Sequence, residues 1–460
     1  MCGGSVIGLC TAMLLARDGH DVTVFEGDPA DVPATPAAAW DSWERQGVAQ
    51  FRQPHNLFPR FRQIADVDLP ELTERLVAAG CVWENPLASL PPSITDRTPR
   101  PDDDKFRFVT GRRPVVEAVI GAAARDQAGV TVRRGVRIAG LLAANRADDG
   151  RPRVIGVRTV DGEDIPADLV IDAMGRRTPS LEWLTALGAP PPQVESEDCG
   201  FAYYTRYFRG PQLPVKVGPV LAPLGSFTLL TLAGDNDTWS LTLFVATGDA
   251  PLKAFRDPEC FSSVVRACPL YAHWLDGEPI TDVLPMAGIL DRYRRFVVDE
   301  RPVATGFAAV GDAWACTNPS AGRGMSVGLV HAQLLRDVLR QHPDDLLSFA
   351  HAWDAETEEK VAPFYWNQIA ADRLRIAEMH ALRDGREPPP PDPVITRLGH
   401  AAGRDLDVFR GMVEMLTCLA LPQEVFARPD MAAKVEAFGS DVPMQLPGPD
   451  RTELMDLLTA

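Results

Sequence analysis

The sequence predicts an α/β chain in which a doubly wound, parallel-sheet domain is interrupted by an antiparallel β-sheet and followed by a helical C-terminal region. Three observations carry this. The chain opens on a glycine turn, a helix and a strand; a second strand-turn-helix recurs near residues 307–340; and short β-rich runs fill the stretch between them. A length of 460 residues, at roughly 100–200 per domain, fits two or three domains. A core of that size needs no disulfide staples.

Gly3-Gly4-Ser5-Val6-Ile7-Gly8 is the opening turn, residues 9–17 have apolar spacing of helical period, and Val22-Thr23-Val24-Phe25-Glu26 reads as a strand. Only Met1 and Cys2 precede the glycines. In a doubly wound fold the strand before the turn is central and buried on both faces, so the sequence predicts a gap in its own sheet and a true start several residues upstream. Residues 1–85 form the first part of the nucleotide-binding domain, and the proline-rich, polar stretch 86–104 is a loop excursion. Arg113-Pro114 then opens a helix reaching residue 124, with proline in the first-turn position that tolerates its missing N–H. Strands at 130–133, 136–142, 154–160 and 169–173 complete the second part, 105–178. The β-rich runs 203–208, 227–232 and 239–246 place an inserted antiparallel domain at 179–290. Residues 291–342 return to the first domain, with a helical period over 327–340. The rest, 343–460, is helical, divided by the spacer Pro388-Pro389-Pro390-Pro391, and its amphipathic run 408–421 is read as a packing face.

Lys and Arg number 46 and Asp and Glu 63, a net charge of −17. That excludes an electrostatic nucleic-acid binder and disfavours an anionic membrane surface. No run reaches the ~18 apolar residues of a spanning helix, and the N-terminus lacks the basic start and apolar block of a signal peptide. The expectation is a cytoplasmic protein with no stable membrane insertion. The eight cysteines (Cys2, Cys10, Cys81, Cys199, Cys260, Cys268, Cys316, Cys418) form no C-x-x-C pair and no cluster at zinc spacing. Reduced thiols and no metal site are expected.

The opening turn fits G-x-G-x-x-G at Gly3 and Gly8 but has Ser5 at the middle position. Glycines there allow a tight turn and close approach to a pyrophosphate, which sits on the amides of a helix N-terminus. Ser5 is the smallest replacement: its Cβ weakens that approach or its hydroxyl bonds the phosphate. Glu26 closes the second strand at a spacing suited to accepting bonds from ribose hydroxyls. The bland alternative is a structural βαβ unit. Further on, Phe307-Ala308-Ala309-Val310 leads into Gly311-Asp312, then Asn318-Pro319-Ser320-Ala321-Gly322-Arg323-Gly324 and a helix. Its glycines expose N–H groups at the positive end of a helix dipole, a place to hold negative charge on a reduced ring. A glycine-rich helix cap with an exposed Asp is the plainer reading of that segment alone.

The residues 3–26, the stretch Asp168-Leu169-Val170-Ile171-Asp172-Ala173-Met174-Gly175-Arg176-Arg177 and the segment Gly311-Asp312 to Gly324, in this order and separation, resemble the FAD-dependent oxidoreductases of the p-hydroxybenzoate hydroxylase type, the class A flavoprotein monooxygenases. The resemblance implies a two-dinucleotide-binding-helix Rossmann-like FAD domain, an inserted antiparallel β-sheet substrate domain that roofs the flavin, and a helical C-terminal region. It also implies site residues. Gly3, Gly4, Ser5 and Gly8 would take the pyrophosphate, Glu26 the adenosine ribose, and Asp312 the ribityl chain or the pyrophosphate. Pro319, Gly322 and Gly324 would lie against the flavin. Arg52, in Gly47-Val48-Ala49-Gln50-Phe51-Arg52-Gln53-Pro54-His55, and Arg113 resemble the family's basic contacts to FAD. A planar guanidinium suits phosphate because it donates two bonds at once; for Arg113 a salt bridge or an exposed helix start is the alternative.

Met174-Gly175 stands where hydroxylases that bind their own pyridine nucleotide show Asp-Gly. The stretch is closer to the Asp-Ala-Thr-Gly-Arg form of flavin-dependent epoxidases, prenyl reductases and halogenases, so electrons come from NAD(P)H either directly or through a separate flavin reductase. Trp239-Ser240-Leu241-Thr242 does not match the Trp-x-Trp-x-Ile-Pro signature of tryptophan-type halogenases. The leading expectation is a monooxygenase that hydroxylates or epoxidises an apolar small molecule in secondary metabolism, using O2 through a flavin C4a-hydroperoxide. An FAD-dependent reductase or dehydrogenase acting on a C=C bond is the second reading, and a decayed flavoprotein serving as a binding module the third. Flavin carries the chemistry, so the protein supplies a dry pocket, orientation and one proton donor. His55, Tyr203, Tyr204 and Arg206 are candidates, Tyr203-Tyr204-Thr205-Arg206 lying on a roof strand whose alternate residues face the cavity; core aromatics with a solvated arginine is the plainer reading. Cys316 is read as a buried, inert thiol.

Overall fold

The computed structural model describes residues 1–144, 150–442 and 445–459. Its parallel sheet runs Val130–Arg134, Val22–Glu26, a central position, Val170–Asp172 and Phe307–Ala309. Cys2 makes parallel bridges to both Phe25 and Asp172 and so fills that centre. The Cys2 amide donates to Ile171 O (2.8 Å), the Ala173 amide to Cys2 O (2.7 Å) and the Phe25 amide to Met1 O (2.9 Å). The gap expected at the centre of the sheet is therefore corrected at the end beside the glycines, where residues 1–3 complete the ladder.

The turn that follows has almost no spare volume. Gly3 has φ +103°, and a Cβ on it would stand 2.4 Å from Ala173 O; one on Gly8 would stand 2.0 Å from Gly3 O. Both positions tolerate glycine alone. The helix Val6–Arg17 that springs from the turn is buried over nearly its whole first three turns, because Gly324–Gln341 and Arg113–Asp126 pack on it while the sheet lies beneath. An apolar surface on all sides is what such a sandwiched helix requires.

The inserted sheet has the order Leu221–Leu224, Phe227–Ala233, Thr238–Ala246, Phe201–Arg209, with Glu278–Pro279 and Leu284–Met286 both pairing to the last of these. The register sets Tyr203 opposite Phe244 and Thr205 opposite Thr242. One face of the sheet packs on Phe255, Phe261 and Trp274; the other overlooks the nucleotide domain. Gln193–Asp198 and Leu290–Arg295 pair antiparallel and carry the chain between the two units. The long helix Ala362–Arg383 ties them together, since Arg375 on it donates to Thr228 Oγ1 (3.0 Å) and Phe227 O (2.6 Å) in the inserted sheet. Beyond it, four short helices close around Leu398, Ala402, Val408 and Val425 as a small core of their own. The run expected to be helical over 408–421 breaks after Leu416, where Cys418 takes φ 63° and its carbonyl accepts from Arg60. Among the described residues no helix is long and apolar enough to cross a membrane.

Gly8→Ala places a methyl group on a backbone carbonyl and is expected to cost about 3 kcal/mol or more, read as a lowered melting midpoint and reduced soluble yield. Gly399→Ala is the control: its Cβ would meet nothing within 4 Å on the helix Pro393–Ala402. There the change is expected to stabilise by up to about 1 kcal/mol.

Candidate cofactor and substrate cleft

Between the opening turn, the segment after Asp172 and the turn at Gly311-Asp312 lies a cleft, partly open to solvent and running beneath the inserted sheet. Ser5, Arg113, Met174, Gly175, Asp312, Pro319, Gly322, Gly324, His55 and Tyr203 all line it. Three segments far apart in sequence, picked out by their residues alone, thus meet around one space. Arg294 knits two of them from below, donating to Ala313 O (2.9 Å) and to Arg176 O (3.0 Å).

At the turn, Ser5 is the N-cap of Val6–Arg17 yet makes no capping bond. Its hydroxyl donates instead to Glu117 Oε1 (3.0 Å) and accepts from Arg113 Nη2 (3.3 Å). The N–H groups of the first helical turn are consequently left without a side-chain partner, at the positive end of the helix. Arg113 also reaches Glu117 Oε2 through Nε (3.2 Å) and His55 Nε2 through Nη1 (3.1 Å). Glu26 accepts from the Gly4 amide (3.1 Å), the Asp28 amide (2.9 Å) and Arg45 Nη2 (2.5 Å). A carboxylate has about four acceptor sites, so Glu26 keeps room for one more donor. Arg45 is buried among Glu26, Asp28 and Glu117. Burial by itself would depress its pKa, but the three carboxylates more than offset that and raise it.

Asp312 is half-buried on the cleft wall; desolvation raises its pKa, with Arg113 and Arg176 pulling the other way. Cys316 lines the same wall as a free thiol whose pKa is pushed well up by burial and by Asp312. The Gly311 amide donates to His331 Nδ1 (3.1 Å). His331 therefore carries its proton on Nε2, towards Thr357 Oγ1 (3.2 Å). Burial lowers its pKa to about 3. His55 is neutral for the same reason, with a pKa of about 3 set by burial and then by Arg113. Its Nε2 accepts from the guanidinium, so Nδ1–H donates to Gln53 O (2.8 Å). That geometry removes His55 as a proton donor near neutral pH and makes it a rest for Arg113.

Gly3, Gly4, Gly8 and Glu26 stand behind the cleft lining rather than on it, and Arg52, Tyr204 and Arg206 do not reach it. The segment 47–55 does return to it, through Gly47 to Gln50 and Gln53 to His55, but the Arg52 guanidinium turns away. It donates to the carbonyls of Trp40 and Trp43 and lies 4.9 Å from the Trp40 ring centre. Arg206 points through the opposite face of the roof strand, to Thr281 O (3.2 Å) and Ser262 Oγ (3.3 Å). Alternation along the strand explains this, because Tyr203 and Thr205 share the cleft face while Tyr204, packed on Phe255, and Arg206 share the other.

Tyr203 marks a buried polar cluster that the sequence did not disclose. Its phenol, held protonated by burial, donates to Asn318 Oδ1. The Asn318 amide donates to Asp291 Oδ1 (2.6 Å). Asp372 accepts from Ser320 Oγ (3.2 Å) and Gln368 Nε2 (2.9 Å). Burial pushes Asp291 up to about 7 and Asp372 up to about 6, so two carboxyl groups titrating near neutrality grip the loop that carries Pro319. Above the loop, Leu230, Met286, Ile289 and Phe364 give the cleft an apolar end.

The fold is similar to that of solved FAD-dependent monooxygenases and related flavoenzymes. PqsL, a probable FAD-dependent monooxygenase from Pseudomonas aeruginosa, superimposes with a TM-score of 0.59 at 17% identity over 83% of this chain and 95% of its own. The flavin-dependent brominase Bmp2 gives 0.62 at 13% identity over 95% and 96%. Among curated sequences, Protein Rv3254 of Mycobacterium tuberculosis is 29% identical over 360 residues, 74% of this chain and 72% of that protein. No protein-family model matches the chain.

Two outcomes follow from the titrating groups. The imidazoles of His55 and His331 are expected to stay neutral from about pH 8 to about pH 5, one as the Nδ1–H and the other as the Nε2–H tautomer, read from long-range nitrogen-proton NMR spectra. Asp291 has a raised pKa in the folded chain, so its contribution is present below the unfolded carboxyl value and is lost as pH rises towards about 7. Asp291→Asn is therefore expected to gain melting temperature relative to the parent as pH rises from about 4 to about 7.5, and a pH-independent difference would contradict the raised value.

Proposed function

We propose that the chain is an FAD-dependent monooxygenase acting on an apolar small molecule. The observation that carries this reading is the one cleft that joins an uncapped helix N-terminus and Arg113 at one end to an apolar chamber under the inserted sheet at the other. The donor set fits FAD. The first-turn N–H groups and Arg113 supply donors for a pyrophosphate, and Asp312 lines the cleft between the two glycine turns; Glu26, behind the cleft wall, keeps one acceptor site that a ribose hydroxyl would have to reach past the Gly4 amide. Pro319, Gly322 and Gly324 line the cleft with little side-chain bulk, where a ring system would lie. The fold shared with PqsL supports the same reading.

Bound FAD would supply the two-electron chemistry that activates O2. One oxygen atom enters the substrate and the other leaves as water, with two electrons drawn from NAD(P)H directly or through a separate reductase. The chain's own contribution is positional. Leu230, Met286, Ile289 and Phe364 exclude water from the chamber, and Tyr203 presents a protonated phenol on its wall. Neutral His55 keeps Arg113 in place.

Purified full-length protein is expected to bind one FAD and to turn over an apolar substrate only in oxygen, consuming about one O2 per product. Anaerobic turnover on a C=C bond would move the assignment to a reductase, and a chain that never takes up FAD would leave a binding module. Arg113→Met is expected to weaken FAD by about tenfold to a hundredfold, measured by quenching of flavin fluorescence.

A further inference from the structure

The least exposed charge in the nucleotide domain is Glu117, whose side chain is 0% exposed on the helix Arg113–Asp126. Burying a carboxylate is costly unless it is paired and fully hydrogen-bonded, and here every bond it accepts leads to the opening turn. Oε1 receives the Ser5 hydroxyl and Arg45 Nη1; Oε2 receives Arg113 Nε. Around it stand Arg45, Arg113 and Arg134 against Glu26, Asp28 and Glu117 itself, so the six charges cancel without any ligand.

From this geometry, and resting on the FAD reading above, we infer that Glu117 is a positioning residue for the pyrophosphate: it orients Ser5 and Arg113 as a unit, and both act on the phosphate in its place. Two effects follow from its bonds. By taking the Ser5 hydroxyl as a donor, Glu117 withdraws the side chain that would otherwise cap the helix, and the first-turn N–H groups stay open to an anion. By holding Arg113 Nε, with Ser5 and His55 holding one N–H on each terminal nitrogen, it fixes the plane of the guanidinium. Five donors less three leaves two N–H groups for phosphate oxygens. The serine in the middle of the glycine pattern thereby has a reason: it links the acid to the arginine.

The test uses Glu117→Gln in the full-length protein, which keeps the shape and removes the charge. FAD, ADP and riboflavin are the probes, ADP having the pyrophosphate without the ring and riboflavin the ring without the pyrophosphate. Affinity for FAD and ADP is expected to fall together by about tenfold or more, while riboflavin is unchanged. In an Arg113→Met background the same substitution is expected to cost about twofold or less, because the group it positions is gone. Unchanged FAD and ADP affinity, equal losses in both backgrounds, or an equal loss for riboflavin would each overturn the role. Should Glu117→Gln not fold, Ser5→Ala removes the bridge from Glu117 to Arg113 Nη2 while leaving the direct bond to Nε, and its FAD and ADP affinities are expected to drop by about threefold; no change there overturns the inference. If the parent protein itself binds neither FAD nor ADP, the cofactor reading falls as well, whereas a parent that binds both and a variant that matches it removes Glu117 alone.

Discussion

Gly3 and Gly8 touch the backbone at distances no side chain could accept, and that contact sets the positions of everything around the cleft. It presses the opening turn onto the Ala173 carbonyl, bringing the end of one strand against the start of the helix and against the segment that follows Asp172. Asp172 is held there by the Met174 amide (2.9 Å) and the Thr178 hydroxyl (2.6 Å). From this junction Arg294 reaches the second glycine turn, and His331 holds that turn from the other side. The site is a set of loops fixed by backbone contact and buried hydrogen bonds, with the hydrophobic core behind it.

Much of this architecture was legible in the sequence because it rests on local pattern. The turn, helix and strand of residues 3–26 and the alternating runs of the inserted sheet follow from periodicity and glycine placement. What stayed hidden depends on tertiary pairing. Nothing in the residues near Arg45 announces three carboxylate partners separated from it in sequence, and Asn318, Asp291 and Asp372 come from a loop, a strand and a late helix. One signal was available: Arg113 and Glu117 lie at the four-residue spacing that places side chains on one helical face. Arg52 shows the opposite limit. Its neighbours return to the cleft as the segment suggests, but a rotatable side chain found nearer carbonyls at Trp40 and Trp43.

Charge is distributed in the cleft with a clear asymmetry. Near the opening turn the ionised groups are mutually compensated, and the surplus donors point at the space. His55 beside Arg113 is neutral, and near the chamber the titrating groups are a protonated phenol and two carboxyls poised near neutrality by burial. A low-dielectric environment strengthens whatever dipole faces it, so the apolar end is the more sensitive to any single change in protonation.

The roof strand Phe201–Arg209 turns Tyr203 to the cleft, packs Phe201, Thr205 and Tyr207 on the same face against Phe244, Gln53 and Trp40, and gives the alternate residues to an aromatic core around Phe255 and Trp274. The lower face is therefore part of the packing as well as of the cleft, since Tyr203 and Thr205 tie the strand to Asn318 and Gln53 beneath it. Reshaping the chamber from this strand thus means moving the Asn318 loop with it, so that the roof and the floor of the cleft change as one piece.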